Sequence, residues 1–157
     1  SSILWKSVPY DTYWPADSYP LSYKIREKTS NIILMRLADI LLLKAEALVE
    51  LDRTPEAIRI VNGIRERAGF APSSLDENMG QARGRLAVEN ERQLELYMEG
   101  QRWFDLVRNN RLLEVMQKHK DKDGRLLFAG LQAFRQLWPI PQGEKDKNTN
   151  LTQNEGY

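Results

Sequence analysis

The sequence predicts a mainly α-helical fold, in which a tetratricopeptide-like helical hairpin precedes one long helix, with irregular loops and a C-terminal coil. Three observations predict it. Apolar residues recur at helical spacing in three segments, residues 32–51, 54–68 and 85–108. Gly69 stands just past the second segment, where a helix C-cap glycine is expected. Pro139 and Pro141 exclude a helix from the stretch LWPIP, because proline lacks the N–H donor and biases the preceding residue toward extended backbone.

The N-terminal segment differs in composition from the rest of the chain. Residues 1–29 are rich in aromatic side chains, and three prolines among them predict an irregular segment. The chain has no initiator methionine and no visible signal peptide, so we expect a longer protein whose export signal or lipid anchor lies outside it. Residues 30–157 are predicted to form one helical domain. Its most apolar stretch, IILMRLADILLL, is too short to span a bilayer and contains Arg36 and Asp39.

The hairpin is predicted from its start signals and its small residues. Its first helix is expected after Ser30, a good N-cap, and carries apolar residues on more than one face. Thr54 and Pro55 mark the second helix, with threonine as N-cap and proline at the first helical position. Ala45 and Ala57 have the separation of the two small residues of a tetratricopeptide repeat. Because one repeat cannot bury a continuous core, the hairpin should pack on the long helix or on repeats outside the chain.

A column of glutamates marks the predicted long helix, residues 85–108. Glu91, Glu95 and Glu99 recur at every fourth position, where like charges repel by about 0.2–0.5 kcal/mol per pair. One interpretation is a pair of catalytic carboxylates of the glycoside hydrolase type. The favoured interpretation is a structural ion network that docks this helix, because adjacent turns of one helix rarely place two carboxylates across a substrate. Its predicted members are Arg36, Arg65, Arg67, Arg92, Glu95, Glu99, Arg102 and Asp105.

The remaining segments are predicted from the glycine, proline and charged residues that interrupt helices. Gly100 falls inside the predicted long helix, where glycine costs about 0.5–1 kcal/mol relative to alanine, so we expect another segment to approach its backbone closely. A short helix is predicted over residues 112–118, followed by a charged turn at KDKDGR. Short extended segments are predicted at residues 126–128 and 135–138, with coil after Pro139.

Composition limits the chemistry that the chain can perform. Its 157 residues suit one domain, and a net charge of +1 implies no nucleic-acid partner. The absence of cysteine excludes disulfides, thiolate metal sites and cysteine nucleophiles. His119 is the single histidine, which makes a zinc or iron site a poor expectation, and no glycine-rich phosphate loop is present. We therefore expect no cofactor and no metal.

The aromatic residues near the N-terminus are the candidate ligand contacts. Rings on proline-rigidified loops present flat apolar faces, which suit a sugar ring or a protein partner. The alternative is that these rings cover the core of this domain or of a neighbouring one. The candidates for carbohydrate binding are Trp5, Tyr13 and Trp14.

Four segments in order carry a family resemblance, namely NIILMRLADILLLKAEAL, IVNGIRERAGF, ENERQLELYMEGQRWFDLVR and LWPIPQGE…LTQNEGY. Together they resemble the SusD/RagB family of outer-membrane glycan-binding lipoproteins. NIILMRLADILLLKAEAL is similar to that family's RYADVLLMYAEAL-type helix, and IVNGIRERAGF to its NxVRxRAG segment. ENERQLELYMEGQRWFDLVR resembles the ERxxELxxEGxRWFDLxR signature, and LWPIPQGE…LTQNEGY resembles the PIPxxE…NPGY ending. The resemblance covers about residues 31–157, with small departures at Leu37, Gln101 and Glu155.

The resemblance implies a SusD-like helical protein on the surface of Bacteroidetes-type bacteria, lipid-anchored to the outer membrane in its full-length form. Such proteins act as a lid over a SusC-like TonB-dependent transporter, capture oligosaccharides before import, and are not enzymes. Their glycan contacts come mainly from a variable region that precedes the four motifs. Residues 1–29 would be the remnant of that region, and the rest of the chain would serve as scaffold.

Two alternatives stay open at this point. One is a tetratricopeptide-type adaptor that binds other proteins, which the hairpin alone also permits. The other is a glycoside hydrolase that uses Glu91, Glu95 and Glu99.

Overall fold

The computed structural model describes residues 34–121 and 123–157, and this part of the chain is mainly helical. It contains six α-helices and a 3-10 turn at Ala133–Gln136, with no strand beyond an isolated antiparallel bridge between Lys120 and Leu126. The predicted fold class is therefore confirmed. The helices are α1 (Leu37–Glu50), α2 (Thr54–Arg67), α3 (Gln81–Glu95), α4 (Arg102–Arg108), α5 (Leu112–Gln117) and α6 (Gln142–Lys147).

The described residues fall into two compact units, a helical unit of residues 34–109 and a C-terminal unit that begins at residue 110. The predicted domain boundary near residue 29 and the predicted N-cap at Ser30 lie outside the described residues. No helix between residues 34 and 157, leaving out residue 122, has the length and apolar character needed to cross a bilayer.

The helical unit is built around a core shared by α1, α2 and α3. Ala45 and Ala57, the predicted small pair, are both fully buried, which lets α1 and α2 approach closely. Val88 of α3 completes the core. The hairpin therefore packs on α3, which was one of the two predicted ways of covering its apolar face. Burial of each large side chain contributes roughly 1.5–3 kcal/mol. The core consists of Leu42, Ala45, Leu48, Val49, Ala57, Val61, Ile64 and Val88.

The ends of α2 show one confirmed prediction and one correction. Gly69 follows the helix with φ +97°, and its N–H bonds to the Glu66 carbonyl at 2.9 Å, as expected of a C-cap glycine. Thr54 is wrong as an N-cap, because its hydroxyl is buried and has no hydrogen-bond partner in the part of the chain that the structure describes. The Thr54 side chain lies against Gly84 of α3, and this packing keeps it from the free amides of its own helix.

The predicted long helix is also wrong, because it is broken between α3 and α4. The residues between them include Met98 with φ +63° and Gly100 with φ +78°, both in the left-handed region that ends a helix. Within residues 34–157, apart from residue 122, nothing beyond its chain neighbours would lie within 4 Å of a β-carbon at Gly100, so the predicted close approach is not found in this part of the chain. Glycine is needed at this position for its backbone angle.

The loop between α2 and α3 is attached to the helical unit by Asn62. This buried amide donates from Nδ2 to the Leu75 carbonyl at 3.0 Å and accepts from the Leu75 N–H at 2.9 Å. The start of α3 is fixed by Gln81, whose Nε2 donates to the Val49 carbonyl at 2.8 Å. These bonds attach the loop to α2 and the start of α3 to the end of α1 through main-chain groups.

The C-terminal unit departs from the sequence prediction at three places. In the segment 126–128, which was predicted to be extended, only Leu126 makes an isolated bridge and the next two residues form a bend. Arg135 lies in the 3-10 turn rather than in an extended segment. The coil predicted after Pro139 contains α6, which begins directly after Pro141. Proline is compatible with a helix start because the first amides of a helix have no intrahelical partner. The charged turn was predicted, and there Asp121 accepts hydrogen bonds from the N–H groups of Asp123 and Arg125.

The contact between Gly84 and Thr54 predicts opposite effects for two glycine-to-alanine changes. A β-carbon at Gly84 would lie 2.7 Å from Thr54 Cγ2, on a short and stiff side chain. We expect Gly84→Ala to lower the free energy of unfolding by about 1–3 kcal/mol through overpacking. The control is Gly63→Ala in α2, where no described residue would lie within 4 Å of the added β-carbon and the better helix propensity should add about 0.5–1 kcal/mol.

Urea unfolding followed by circular dichroism measures both variants. Equal stabilisation by the two changes would contradict the prediction, since it would mean that α3 can move away from α2 at no cost.

Candidate functional site

Arg36 joins the start of α1 to the end of α3. Its Nε lies 2.9 and 3.0 Å from the two carboxylate oxygens of Glu99, and its Nη1 bonds to the Glu95 carboxylate. Its Nη2 donates to the Glu95 main-chain carbonyl at 2.5 Å. Burial lowers the pKa of Arg36, but the bonds to Glu99 and Glu95 outweigh burial and leave the pKa raised. The guanidinium therefore stays charged and satisfies a carbonyl at the C-terminal end of α3.

Glu95 receives a second guanidinium from α2. Arg67 Nη2 lies 2.5 Å from Glu95 Oε1. Burial raises the pKa of Glu95, but hydrogen bonds from Arg67 and Arg36 lower it more, so the net pKa is lowered. A carboxyl held in its ionised form is unsuited to the role of general acid, which requires a raised pKa.

One ion cluster is almost completely buried. Arg92 of α3 donates from Nε to Asp105 of α4 at 2.8 Å and from Nη1 to Asp39 of α1 at 2.8 Å. All three side chains are shielded from solvent, with 3% of Arg92 exposed. The cluster connects three helices through charge-assisted hydrogen bonds, which are the stronger class.

Two further arginines hold α4. Arg108 bonds to the Glu46 carboxylate of α1, and its Nη2 lies 2.9 Å from Asp105 Oδ1. The bond to Glu46, with a smaller contribution from Asp105, raises the pKa of Arg108 despite its partial burial. Arg102 donates from Nη1 to the Oε1 atom of Glu89 in α3 at 3.1 Å. Helix α4 is therefore attached to both α1 and α3 by ion pairs.

The structure brings all eight residues of the predicted ion network into ion pairs, although in several clusters. Arg65 pairs with Glu91, the first glutamate of the column, with 2.9 Å between Nη1 and Oε2. Sequence reasoning did not assign roles to Asp39, Glu46 and Glu89 in these clusters. Asp39 could have been found, because a carboxylate inside the apolar run LADILLL needs a buried cation. Trp5, Tyr13 and Trp14 lie outside the described residues, so the structure says nothing of them.

Of the three glutamates in the column, Glu91 borders an open depression of about 400 Å³. No second carboxylate lines it among the described residues. The other lining residues are Arg65, Leu75, Ala87, Asn90, Gln93 and Leu94.

In the C-terminal unit, the tail is attached to the main chain of the LWPIP stretch. Tyr157 donates its hydroxyl to the Leu137 carbonyl at 2.9 Å, and Asn154 donates Nδ2 to the Trp138 carbonyl at 2.7 Å. Gln153 accepts from the Ile140 N–H at 2.8 Å and donates to its carbonyl at 3.0 Å. These side chains, Gln153, Asn154 and Tyr157, are here called the tail clamp.

Phe134 supports the tail clamp from one side. Its ring meets the Tyr157 ring edge-on, with centroids 5.0 Å apart and planes at 89°. Gly156, with φ +92°, passes so close that a β-carbon would lie 2.4 Å from Phe134 Cγ. A glycine is therefore required here both for its backbone angle and for the space.

The buried cluster predicts a large loss of stability when its cation is removed. Arg92→Met leaves the Asp39 and Asp105 carboxylates buried without the guanidinium that joins them, so the free energy of unfolding should fall by about 3–5 kcal/mol. Chemical unfolding of the purified variant measures the change.

The matched control for this change is Arg85→Met. Arg85 is in the same helix, and its Nε lies 2.6 Å from Glu50 Oε1, but both side chains are about half exposed. Exposed ion pairs contribute little, so its stability should stay near that of the unaltered chain. Similar effects of the two changes would show that the buried cluster does not determine the packing of α1, α3 and α4.

The lowered pKa of Glu95 predicts a stability contribution that depends on pH. The unfolded glutamate titrates near pH 4.3, and the folded one titrates lower. Its contribution is therefore fully present above about pH 5 and is lost as the pH falls through the folded pKa. Glu95→Gln should lower the melting temperature at neutral pH, and the difference from the unaltered chain should shrink as the pH falls below about 4.

Glu50→Gln is the control for this pH series. A hydrogen bond from Arg85 lowers the pKa of Glu50 as well, but solvent screens this exposed carboxylate. Its removal should change the melting temperature less at every pH. A Glu95→Gln difference that stays constant down to pH 3 or so would contradict the assignment of the effect to this carboxylate.

Comparison with known proteins gives a consistent result. SusD-like protein P38 of Formosa agariphila is 40% identical over 135 residues, which cover 82% of this chain and 25% of that protein. SusD-like protein P2 of the same organism is 35% identical over 84% of this chain and 27% of its own length. Starch-binding protein SusD of Bacteroides thetaiotaomicron is 29% identical over 90% of this chain and 24% of its own length.

The chain thus spans about a quarter of the length of the curated relatives it matches. No solved structure gives a significant match. The sequence model of the SusD family matches residues 10–157, almost the whole chain. With this match and with relatives at 35% to 40% identity over more than four-fifths of its residues, the chain belongs to the SusD family.

Proposed function

We propose that the chain is the C-terminal scaffold portion of a nutrient-binding component in a SusC/SusD-type outer-membrane glycan uptake system. The full-length protein would be lipid-anchored at the cell surface, would capture oligosaccharides or polysaccharides, and would deliver them to a SusC-like TonB-dependent transporter. The observation that carries this proposal is the family match over residues 10–157. The name of the Bacteroides relative, starch-binding protein SusD, supports a glycan as the ligand class.

The scaffold role is supported by the ion pairs of the helical unit, because its charged side chains bond to one another. Arginines and carboxylates from four helices are paired with one another, as Arg92 is with Asp39 and Asp105. Groups engaged in this way hold helices together and are not available to a ligand. The proposed role of residues 34–109 is therefore to support a binding face formed elsewhere in the full-length protein.

An exposed apolar surface at the start of α1 supports membership in a larger assembly. Leu34 is 81% exposed, and the nearby Met35 and Leu37 are also open to solvent. A contiguous patch of exposed apolar residues often marks a site where another protein or domain binds. This surface is where we expect contact with the rest of the full-length protein or with its transporter.

The contacts of the glutamate column weaken the glycoside hydrolase alternative. Hydrolysis of a glycosidic bond uses two carboxyl groups that face a substrate, one of them with a raised pKa. Glu95 has a lowered pKa and two arginine partners, and Glu91 is the one carboxylate on its depression in the described chain. We therefore propose a binding protein without catalytic activity.

One observation favours the adaptor alternative. An apolar groove of about 350 Å³ lies between α1 and α2, and its lining includes Leu41 and Ile60. A groove of this kind can receive a segment of another protein. The adaptor would act inside the cell, so a lipoprotein signal at the start of the full-length gene would exclude it.

Calorimetry with a panel of oligosaccharides tests the proposed division of labour. The full-length gene product should bind at least one malto-, cello- or xylo-oligosaccharide with micromolar affinity. Residues 1–157 alone should bind the same ligand weakly or not at all, because most of the variable region that would supply the contacts lies outside them. The heat of binding for the two proteins under identical conditions gives the comparison.

Micromolar binding by residues 1–157 alone would overturn the scaffold role. A lack of binding by the full-length protein across the panel would overturn glycan capture itself. Release of reducing sugar by the full-length protein, abolished by Glu95→Gln, would restore the hydrolase alternative.

A further inference from the structure

Trp138 is the most exposed aromatic side chain described in the C-terminal unit. The residue is 79% exposed, although tryptophan is a residue that folded proteins usually cover. It is also part of a segment with defined geometry, since Leu137 has φ −99° and ψ 151° and Pro141 has φ −55° and ψ 136°. Exposure of a large ring on an ordered segment calls for a physical explanation.

The main chain on both sides of Trp138 is held in place by the tail clamp. The carbonyls of Leu137 and Trp138 and both main-chain groups of Ile140 accept or donate the four bonds described above. Pro139 follows directly, and its ring fixes its own backbone angle and restricts that of Trp138. The indole is therefore presented on a backbone whose ordering entropy is lost before any ligand arrives, which favours binding.

The ring is better suited to a ligand of its own size than to a broad protein interface. In extended backbone, consecutive side chains leave the chain on different sides, which separates the Trp138 ring from Leu137. A protein interface of standard size needs a contiguous patch of many residues. A flat aromatic face with apolar character matches one face of a sugar ring.

A hydrogen-bonding side chain is bonded to the main chain of Trp138 itself. Asn154 bonds through Nδ2 to the Trp138 carbonyl at 2.7 Å. An amide has two N–H donors and a carbonyl acceptor, so this bond leaves capacity for the hydroxyl groups of a sugar.

We propose that Trp138 is a saccharide-stacking site, in which the indole packs on a sugar ring and Asn154 bonds to its hydroxyl groups. This site rests on the proposed glycan-binding function and adds to it a contact that the four-motif resemblance does not assign. It places one contribution to ligand binding in the C-terminal unit, while the helical unit remains scaffold.

Nuclear magnetic resonance of ¹⁵N-labelled residues 1–157 tests the site directly. The chain has four tryptophans, and Trp138→Phe identifies the indole N–H signal of Trp138. Titration with the same malto-, cello- and xylo-oligosaccharides up to about 50 mM should move this signal saturably, with a millimolar dissociation constant for at least one of them. The signal of Trp103 should stay in place.

Affinity measurements on the full-length gene product supply the second test. Trp138→Ala should weaken binding of the panel's best ligand by roughly threefold to tenfold, the usual size of one aromatic contact, without changing the melting temperature. The matched control is Leu137→Ala, which removes an exposed neighbour and keeps the main-chain bond to Tyr157. It should leave the affinity unchanged.

Three results would overturn the site. The Trp138 signal could remain fixed while those of Trp5 or Trp14 move, which would favour the N-terminal candidates. Trp138→Ala could lower the melting temperature and spare the affinity, which would make the ring structural. Full-length protein that binds a glycan equally well with and without Trp138 would refute this site alone, whereas no binding by the unaltered protein would refute the proposed function as well.

Discussion

A guanidinium removed from water requires negative charge in defined positions, and the helical unit meets this requirement at Arg92. Its two buried partners, Asp39 and Asp105, belong to two other helices. Desolvation makes each of the three charges unfavourable alone, so the helices must keep the arrangement in which all three are paired. This cluster sets the relative placement of α1, α3 and α4, and the more exposed arginine pairs reinforce it.

The break between α3 and α4 follows from the same cluster. Arg92 and Asp105 are 13 residues apart, as are Glu89 and Arg102. In a continuous helix each pair would be separated by about 20 Å along the axis, too far for an ion pair. The chain must reverse between them, and the positive φ angles of Met98 and Gly100 make the reversal. The break is therefore a condition for burying Arg92.

This dependence explains what the sequence could and could not predict. Local signals were sufficient for the hairpin, because Ala45, Ala57 and Gly69 act through packing and backbone angles within one motif. The prediction of one long helix was wrong because the spacing of its charges is also compatible with a continuous helix. The ion pairs that require a break join residues far apart in the sequence, so no local signal indicates them. The sequence does not predict helix α6, because proline can either end a helix or begin one, and Pro141 lies at a helix start. In the sequence, Asp39 only interrupts an apolar run, whereas in the fold it is buried and holds Arg92.

The tail clamp acts mainly on main-chain atoms, and this has a consequence for variation within such proteins. Its bonds to residues 137, 138 and 140 use carbonyl and N–H groups that every non-proline residue carries. The side chain at position 138 can therefore be exchanged without altering the path of the backbone beneath it. Relatives with the same clamp and a different residue at this position would keep the backbone path and differ only in the side chain that it exposes.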